Sequence, residues 1–483
     1  MPDRRSLRSV PGRDPLGSVP DRRTLRSVPD SLPRRTEQDQ LPHQGAIKPG
    51  ALENCRDLWE PYPEKSSGAP ERQTPLPRRD AWERPMTHWT DKERFFMKEA
   101  LRLARRGWGL VSPNPMVGAV LVKRNKILAT GWHTGPGFPH AEAVALNAAG
   151  KSAKGSELYV TLEPCRHTGR TGPCTDAIVQ AGVSKVYYSI PDPNPLAEGG
   201  ARVLEDSGIE TRRGLMAQQA YELNQFFIKW QLTKKPFVIL KTAASLDGKI
   251  ATHSGDSRWI SSKVARNYGH HLRAGVDAIL IGRATAAKDD PELSARPWGR
   301  RKMHREPMRC VLDPSLKLPL ELKLFNPSYG GRTTVFCAPE AEPGKAAALK
   351  EAGAAVIPVP LRAPGRLSLE RVLESLGSMD VQSVLIEPGA TTASSTLIDE
   401  SVVDLIHVFI APMFLGGDGA PGMLGGEGVD KLADARALDI LRVSRKGPDI
   451  HIVCRPKGAF VPPPGFLALP EDQTASAEPA EEF

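Results

Sequence analysis

The chain has 483 residues, of which 40% are hydrophobic and 25% charged, and its formal net charge is +9. This length exceeds one ordinary core and predicts two domains with extensions. The sequence contains no apolar run of about 18 residues and no charged-then-apolar leader, so it predicts neither a membrane span nor secretion.

The first 86 residues are rich in Pro, Arg and Ser and carry much of the excess positive charge. They include a near-duplicate, residues 2–11 and 20–29, which is too short to build a repeat fold. We predict a disordered basic extension over residues 1–86. Nucleic-acid binding by this extension, an organelle transit peptide and a true start at Met86 stay open as alternatives.

From residue 90 onward the pattern alternates between helix and strand. Thr90 and Glu93 form a capping box for a helix that runs to Arg106. Further helices are predicted at residues 141–149, 174–182 and 199–206, and strands at 117–122, 158–162, 183–190 and 209–213. Such alternation predicts an α/β sandwich domain over residues 88–230.

A polar, basic run at residues 229–236 predicts the boundary to a second α/β domain, residues 236–457. Its strands are predicted at residues 237–241, 277–281, 310–312, 334–337, 355–359 and 383–386. Residues 402–410 and 438–454 predict antiparallel strands at its end. No G-x-G-x-x-G motif follows a strand, so a Rossmann cofactor site is not predicted. Residues 458–483 predict a disordered acidic tail.

The chemistry-bearing motif of the first domain consists of His140, Glu142, Cys165 and Cys174. Zinc deaminases carry the signature H-x-E…P-C-x-x-C, in which the glutamate moves protons and does not bind the metal. Here eight residues separate the cysteines instead of two. One histidine and two cysteines leave a fourth zinc position for water, which is the catalytic arrangement. A structural zinc site with His167 as the fourth ligand is the alternative.

These motifs resemble the deaminase half of the RibD family of bifunctional riboflavin biosynthesis proteins. The resemblance also rests on residues 113–118 (PNPMVG), 163–174 (EPCRHTGRTGPC) and 192–195 (DPNP). It implies a cytidine-deaminase-like α/β/α sandwich with zinc at His140, Cys165 and Cys174 and with Glu142 as the proton donor. It further implies that Asn114 faces the pyrimidine.

The second domain resembles the RibD reductase domain, whose α/β fold is similar to dihydrofolate reductase. The resemblance rests on residues 240–249 (LKTAASLDGK), 257–261 (SRWIS), 289–291 (DDP) and 387–389 (EPG). It implies that NADPH is the cofactor, bound by Ala243, Trp259, Thr285, Asp289 and Gly389. It also implies substrate contacts from Lys241, Ser257, Arg273, Leu293, Arg296 and Glu387.

Two features depart from the family pattern. Family members often show E-G-G or E-A-G-P-T where this chain has Glu387-Pro388-Gly389, and Pro388 lacks a backbone N–H donor. The basic segment at residues 300–305 is interpreted as a loop insertion without an assigned role.

The resemblance implies zinc-dependent deamination of 2,5-diamino-6-(5-phosphoribosylamino)pyrimidin-4(3H)-one, followed by NADPH-dependent reduction of the ribosyl side chain to ribityl. The six sparse cysteines favour the cytoplasm. The partner is a free pyrimidine ribonucleotide and not a membrane or a nucleic acid, and a homo-oligomer is compatible with the sequence. The rivals are an RNA-editing-type deaminase that uses the basic extension and a zinc-stabilised scaffold without activity.

Overall fold

The computed structural model describes residues 89–168, 172–296, 305–329 and 331–467. The predicted disorder of residues 1–86, most of the basic insertion and the tail beyond residue 467 therefore lie outside the described residues. Among the described helices, none is both long and apolar enough to cross a lipid bilayer.

The N-terminal half (residues 89–233) is a sheet covered by helices. Its elements are α1 (Asp91–Ala104), β1 (Gly118–Lys123), β2 (Lys126–Trp132), α2 (Ala141–Ala149), β3 (Glu157–Leu162), α3 (Cys174–Gln180), β4 (Lys185–Ile190), α4 (Gly200–Asp206), β5 (Glu210–Arg213) and α5 (Ala217–Thr233). The strand order is β2-β1-β3-β4-β5. Strand β1 runs antiparallel to β2 and β3, whereas β3, β4 and β5 are parallel. The predicted α/β class is confirmed.

Helix α1 begins with the predicted capping box. The Glu93 backbone N–H donates to Thr90 Oγ1 at 3.2 Å, and the Thr90 backbone N–H donates to Glu93 Oε2 at 2.7 Å. The helix then packs closely on β1, because a Cβ at Gly118 would lie 2.0 Å from the carbonyl oxygen of Ala100. Only glycine permits that approach.

Two elements of this half were not predicted. Strand β2 is mostly exposed and shows no clean alternation; it pairs with β1 through a tight turn at Arg124 and Asn125, both with positive φ. Helix α5 continues to Thr233, beyond the predicted domain end at residue 230. The expected linker at 229–236 thus begins inside a helix, and the chain leaves that helix only at Lys234, which has a left-handed φ of 58°.

The C-terminal half (residues 237–456) contains one large mixed sheet. Its elements are β6 (Phe237–Ser245), α6 (Lys263–Gly275), β7 (Ala278–Gly282), α7 (Arg283–Asp289), β8 (Met308–Leu312), β9 (Thr333–Cys337), α8 (Pro343–Glu351), β10 (Ala355–Pro358), β11 (Leu361–Ala363), β12 (Arg366–Leu367), α9 (Leu369–Ser378), β13 (Ser383–Ile386), α10 (Ala390–Ser394), β14 (Leu405–Ala411), β15 (Leu438–Lys446) and β16 (Asp449–Pro456). The sheet order is β10-β9-β8-β7-β13-β6-β14-β16-β15. The strands from β10 to β14 are parallel, and β16 and β15 close the sheet in antiparallel fashion, as predicted. Apolar clusters cover both faces of this sheet.

The chain after β16 returns to the N-terminal half. Phe466 is buried in the core of that half, and Phe460 packs against the same cluster. The Arg213 guanidinium donates to the Phe466 carbonyl at 2.6 Å. The disorder predicted from residue 458 is therefore wrong for residues 458–467, because their aromatic side chains find an apolar surface that a proline-rich composition does not reveal.

Candidate functional site

Two helix N-termini and the end of a strand bring the predicted zinc ligands together. His140 precedes α2, Cys174 opens α3, and Cys165 follows β3. His140 Nδ1 lies 3.2 Å from Cys174 Sγ and 3.4 Å from Cys165 Sγ, and the three ligand atoms all lie within 4.8 Å of one another.

The donor set fits a zinc ion. A hydrogen bond from Cys174, aided by His140, lowers the pKa of the Cys165 thiol, and the hydrogen bond with Cys165 raises the pKa of His140 to about 9. These two sulfur atoms and one imidazole nitrogen are already hydrogen-bonded to one another. Zinc prefers ligands of these kinds. Among the described residues, the cluster contains these three side chains and not His167. The structural-zinc alternative therefore lacks its fourth ligand.

Glu142 lies in the first turn of α2 and is 4% exposed. Burial, reinforced by the negative charge of Cys165, raises the pKa of Glu142 to about 7. A carboxyl group with a pKa near neutrality can both accept and return a proton. Glu142 thus combines a position beside the ligand cluster with a pKa suited to proton transfer.

Asn114 contacts His133, a histidine next to the ligand cluster that the sequence did not predict as part of the site. Asn114 Nδ2 lies 2.9 Å from His133 Nε2, and His133 Nδ1 lies 3.2 Å from the carbonyl oxygen of Pro139. Because a carbonyl can only accept, Nδ1 carries the proton and Nε2 accepts from the Asn114 amide. Burial also lowers the pKa of His133, which favours the neutral ring. Asn114 Oδ1 is thereby left as the acceptor available to a ligand.

Two buried carboxylates also line this region without having been assigned a role. Glu163 accepts the backbone N–H groups of Asp192 at 3.3 Å and of Ala201 at 2.9 Å. Asp192 accepts the backbone N–H of Asn194 at 2.9 Å, and burial raises its pKa to about 7. Both side chains lie within the sequence motifs that suggested the family, and Glu163 links the end of β3 to the residues that follow β4.

In the C-terminal half, Arg273 and Glu387 form a bidentate ion pair. Arg273 Nε donates to Glu387 Oε1 at 2.9 Å, and Nη2 donates to Oε2 at 2.5 Å. Although burial alone would raise it, the charges of Arg273 and Lys241 lower the pKa of Glu387 to about 2. Three predicted substrate residues, Lys241, Arg273 and Glu387, therefore lie together. The Arg273 guanidinium binds a carboxylate of the protein itself.

Predicted cofactor residues gather where β7 and β13 end. Thr285 lies in α7, and a Cβ at Gly389 would be 3.5 Å from Thr285 Oγ1. Ala243 is on β6, and Asp289 ends α7 with its carbonyl accepting from Arg258 at 2.7 Å. Ligands of open α/β sheets bind outside the carboxyl ends of the parallel strands, so this edge suits a dinucleotide.

The remaining predicted contacts are less closely gathered. Trp259, in the loop that also carries Ser257, is 67% exposed, and the Arg266 guanidinium lies 4.4 Å from its ring centre. Arg296 is half exposed and pairs with Glu292 at 3.1 Å. The Leu293 side chain is buried in the core, so a substrate contact at that position is limited to its backbone.

Two models of known protein families match this chain, one in each half. Residues 90–190 match the cytidine and deoxycytidylate deaminase zinc-binding region, and residues 236–452 match the RibD C-terminal domain. The riboflavin biosynthesis protein RibD of Bacillus amyloliquefaciens is 39% identical over 366 residues, which cover 76% of this chain and 96% of that protein.

Solved structures agree over the same span. Acinetobacter baumannii RibD (form 1) is similar with a TM-score of 0.68 and 36% identity, covering 76% of this chain and 99% of that chain. A diaminohydroxyphosphoribosylaminopyrimidine deaminase/5-amino-6-(5-phosphoribosylamino)uracil reductase from Thermotoga maritima gives a TM-score of 0.65 and 34% identity, again covering 76% and 99%. Because its relatives are covered almost end to end and both family models match in order, the chain belongs to the RibD family of bifunctional riboflavin biosynthesis enzymes, which combine a zinc-binding deaminase with an NADPH-dependent reductase.

Proposed function

We propose that the N-terminal half deaminates 2,5-diamino-6-(5-phosphoribosylamino)pyrimidin-4(3H)-one and that the C-terminal half then reduces the ribosyl group to ribityl. The observation that carries this proposal is the convergence of His140, Cys165 and Cys174 beside the buried carboxyl of Glu142. The Thermotoga maritima relative is a diaminohydroxyphosphoribosylaminopyrimidine deaminase, which supports the choice of substrate.

In the deaminase site, His140, Cys165 and Cys174 would hold zinc, which when bound would lower the pKa of a water molecule to about 7. Glu142 accepts one proton of that water and passes it to the ring nitrogen, and it then passes the second proton, from the added hydroxyl, to the leaving amine. A carbon–oxygen bond forms, the carbon–nitrogen bond breaks, and ammonia leaves. Asn114 Oδ1 orients the pyrimidine by accepting one of its N–H groups.

In the reductase site, Thr285, Gly389 and Ala243 line the sheet edge that would hold NADPH, which supplies a hydride to C1′ of the opened ribose. Lys241 and Glu387 lie at the ribose end. Burial lowers the pKa of Lys241, and the carboxylate of Glu387 opposes that change. Arg273 fixes the Glu387 carboxylate through two hydrogen bonds.

For the surroundings of the enzyme, we propose a cytoplasmic protein that acts on a free nucleotide and self-associates. The described cysteines are all free and buried, which fits a reducing compartment. Strand β15 forms the edge of the large sheet and exposes Ile440, Leu441 and Val443, and no described strand pairs with its outer side. Exposed apolar edges of this kind favour pairing with a second chain. Light scattering of the purified protein decides between monomer and dimer.

A coupled assay tests the two activities and their order. Ammonia release and NADPH oxidation are followed separately on the pyrimidine phosphate. We expect ammonia without NADPH, and NADPH oxidation only after deamination. NADPH oxidation on the undeaminated substrate, or the absence of ammonia, contradicts the proposal.

A further inference from the structure

The segment that carries Asn114 is fastened to the C-terminal half at several successive residues. We propose that Asp277 and Gln382, in the C-terminal half, are positioning residues for the deaminase: they hold Ser112 and Pro113 so that Asn114 meets the pyrimidine. This inference rests on the proposed function, in which Asn114 reads the substrate.

Asp277 is the centre of this contact. Its carboxylate is 6% exposed, and Oδ1 accepts the hydroxyl of Ser112 at 2.6 Å. Oδ2 accepts the backbone N–H groups of Gln382 at 2.9 Å and of Ser383 at 3.1 Å, and also the Ser383 hydroxyl at 3.1 Å. Arg305 Nη2 also donates to Oδ1. A carboxylate fixed by four hydrogen bonds from its own half is a rigid acceptor for Ser112.

Gln382 makes the second contact. Its side chain is 3% exposed, and Nε2 donates to the carbonyl oxygen of Pro113 at 2.7 Å. Because the backbone N–H of Gln382 donates to Asp277, the contacts to Ser112 and to Pro113 are linked to each other. Earlier in the segment, Trp108 Nε1 donates to the carbonyl of His271 at 3.1 Å.

Asn114 directly follows Ser112 and Pro113, the two residues held by the C-terminal half. The backbone N–H of Asn114 donates to the Val111 carbonyl at 2.8 Å, which sets a tight turn around Ser112 and Pro113. The Asn114 amide is then oriented by His133. If the turn shifts, Asn114 cannot keep its contacts with both His133 and the pyrimidine, so the substrate loses a hydrogen bond and binds less tightly.

The contact lies far from the chemistry of the C-terminal half. Asp277 and Gln382 precede β7 and β13, whereas Thr285 and Glu387 follow those strands. A strand of five residues spans about 16 Å, so the two edges are separated by the length of the sheet. Changes at Asp277 or Gln382 are therefore expected to alter deamination and to leave reduction intact.

The experiment uses the full chain with Ser112→Ala, Gln382→Met and the double variant. Ser112→Thr retains the hydroxyl and serves as the conservative rescue. Trp230→Phe is the matched control, because Trp230 Nε1 also donates to a backbone carbonyl of the C-terminal half, that of Gly377 at 3.2 Å, but lies outside the Asn114 segment. Deaminase kcat and KM, reductase activity on the deaminated product, zinc content and melting temperature are measured for each.

We expect each single variant to raise the deaminase KM about fivefold, the change that loss of one hydrogen bond produces. The reductase activity, zinc content and the Trp230→Phe control stay at wild-type levels, and Ser112→Thr restores the KM. An unchanged KM in Ser112→Ala and Gln382→Met, or an equal loss in Trp230→Phe, overturns the inference. If the wild-type chain releases no ammonia, the proposed function itself fails, and the two failures are thus distinguishable.

Discussion

The ion pair between Arg273 and Glu387 makes a quantitative prediction about stability. The two side chains are only 17% and 15% exposed, and they meet through two hydrogen bonds. Arg273→Met removes the cation while roughly preserving side-chain length, and Glu387→Met does the same for the anion. Each single variant leaves a buried charge without its principal partner.

The magnitude follows from burial. Two unit charges about 4 Å apart attract by roughly 4 kcal/mol at an effective dielectric constant of 20. Breaking such a buried pair from one side usually costs about 3 to 5 kcal/mol, because the remaining charge is uncompensated. In Arg273→Met, Lys241 still faces Glu387, so we expect a loss of about 3 kcal/mol. Glu387→Met leaves the cations of Arg273 and Lys241 next to each other without their anion. We expect it to lower the free energy of unfolding by at least as much.

Urea unfolding at neutral pH measures both losses, and the Arg273→Met/Glu387→Met double variant completes the cycle. We expect the double variant to be less destabilised than the sum of the singles, since it leaves neither charge behind. The matched control is Lys235→Ala, which breaks the exposed pair with Glu370 (2.8 Å) and should cost under about 1 kcal/mol. Single-variant losses as small as the control, or strict additivity, would refute the buried-pair argument.

Two further predictions concern stability. Burial lowers the pKa of His407 to about 3 and that of His451 to about 4, and the rings share a hydrogen bond of 2.9 Å beneath the cationic side chains of β15. As the pH falls, the histidines of the unfolded chain take up protons before those of the folded chain. The free energy of unfolding should therefore fall between about pH 6.5 and 4, by roughly 1.4 kcal/mol per pH unit for each ring. His451→Gln should lower this pH dependence by the contribution of one ring, and an unchanged pH dependence in urea unfolding would contradict the prediction. Phe466→Ala removes a ring that is 8% exposed in the N-terminal core and should destabilise that half by about 3 kcal/mol; a melting temperature equal to the wild type would show that the terminal segment does not pack there.

The zinc ligands and Glu142 were predictable because local sequence fixes them. His140 and Cys174 stand at helix starts, and the two-residue step from His140 to Glu142 turns the carboxyl toward the ligands within one helical turn. The eight-residue gap between the cysteines does not keep Cys165 and Cys174 from meeting His140 in one cluster. Motif and geometry therefore agree at this site.

The features that the sequence did not predict depend on contacts between residues that are distant in sequence. His133 follows β2, whose exposed residues show no alternation, so a lone histidine at that position gives no sequence signal. Helix α5 has apolar residues at helical spacing, but buried Asn224 interrupts the pattern; its amide is satisfied by the Met116 backbone at 2.8 and 3.0 Å. Arg273 and Glu387 were each assigned to substrate, because their pairing across 114 residues cannot be inferred from either position alone.

The deaminase activity of Glu142→Gln tests whether Glu142 moves the proton during deamination. The substitution keeps the size of the side chain but removes its ability to take up a proton. We expect zinc content and reduction of the deaminated product to remain at wild-type levels, while ammonia release falls by about 10²- to 10⁴-fold. Wild-type ammonia release from a zinc-loaded Glu142→Gln protein would contradict it.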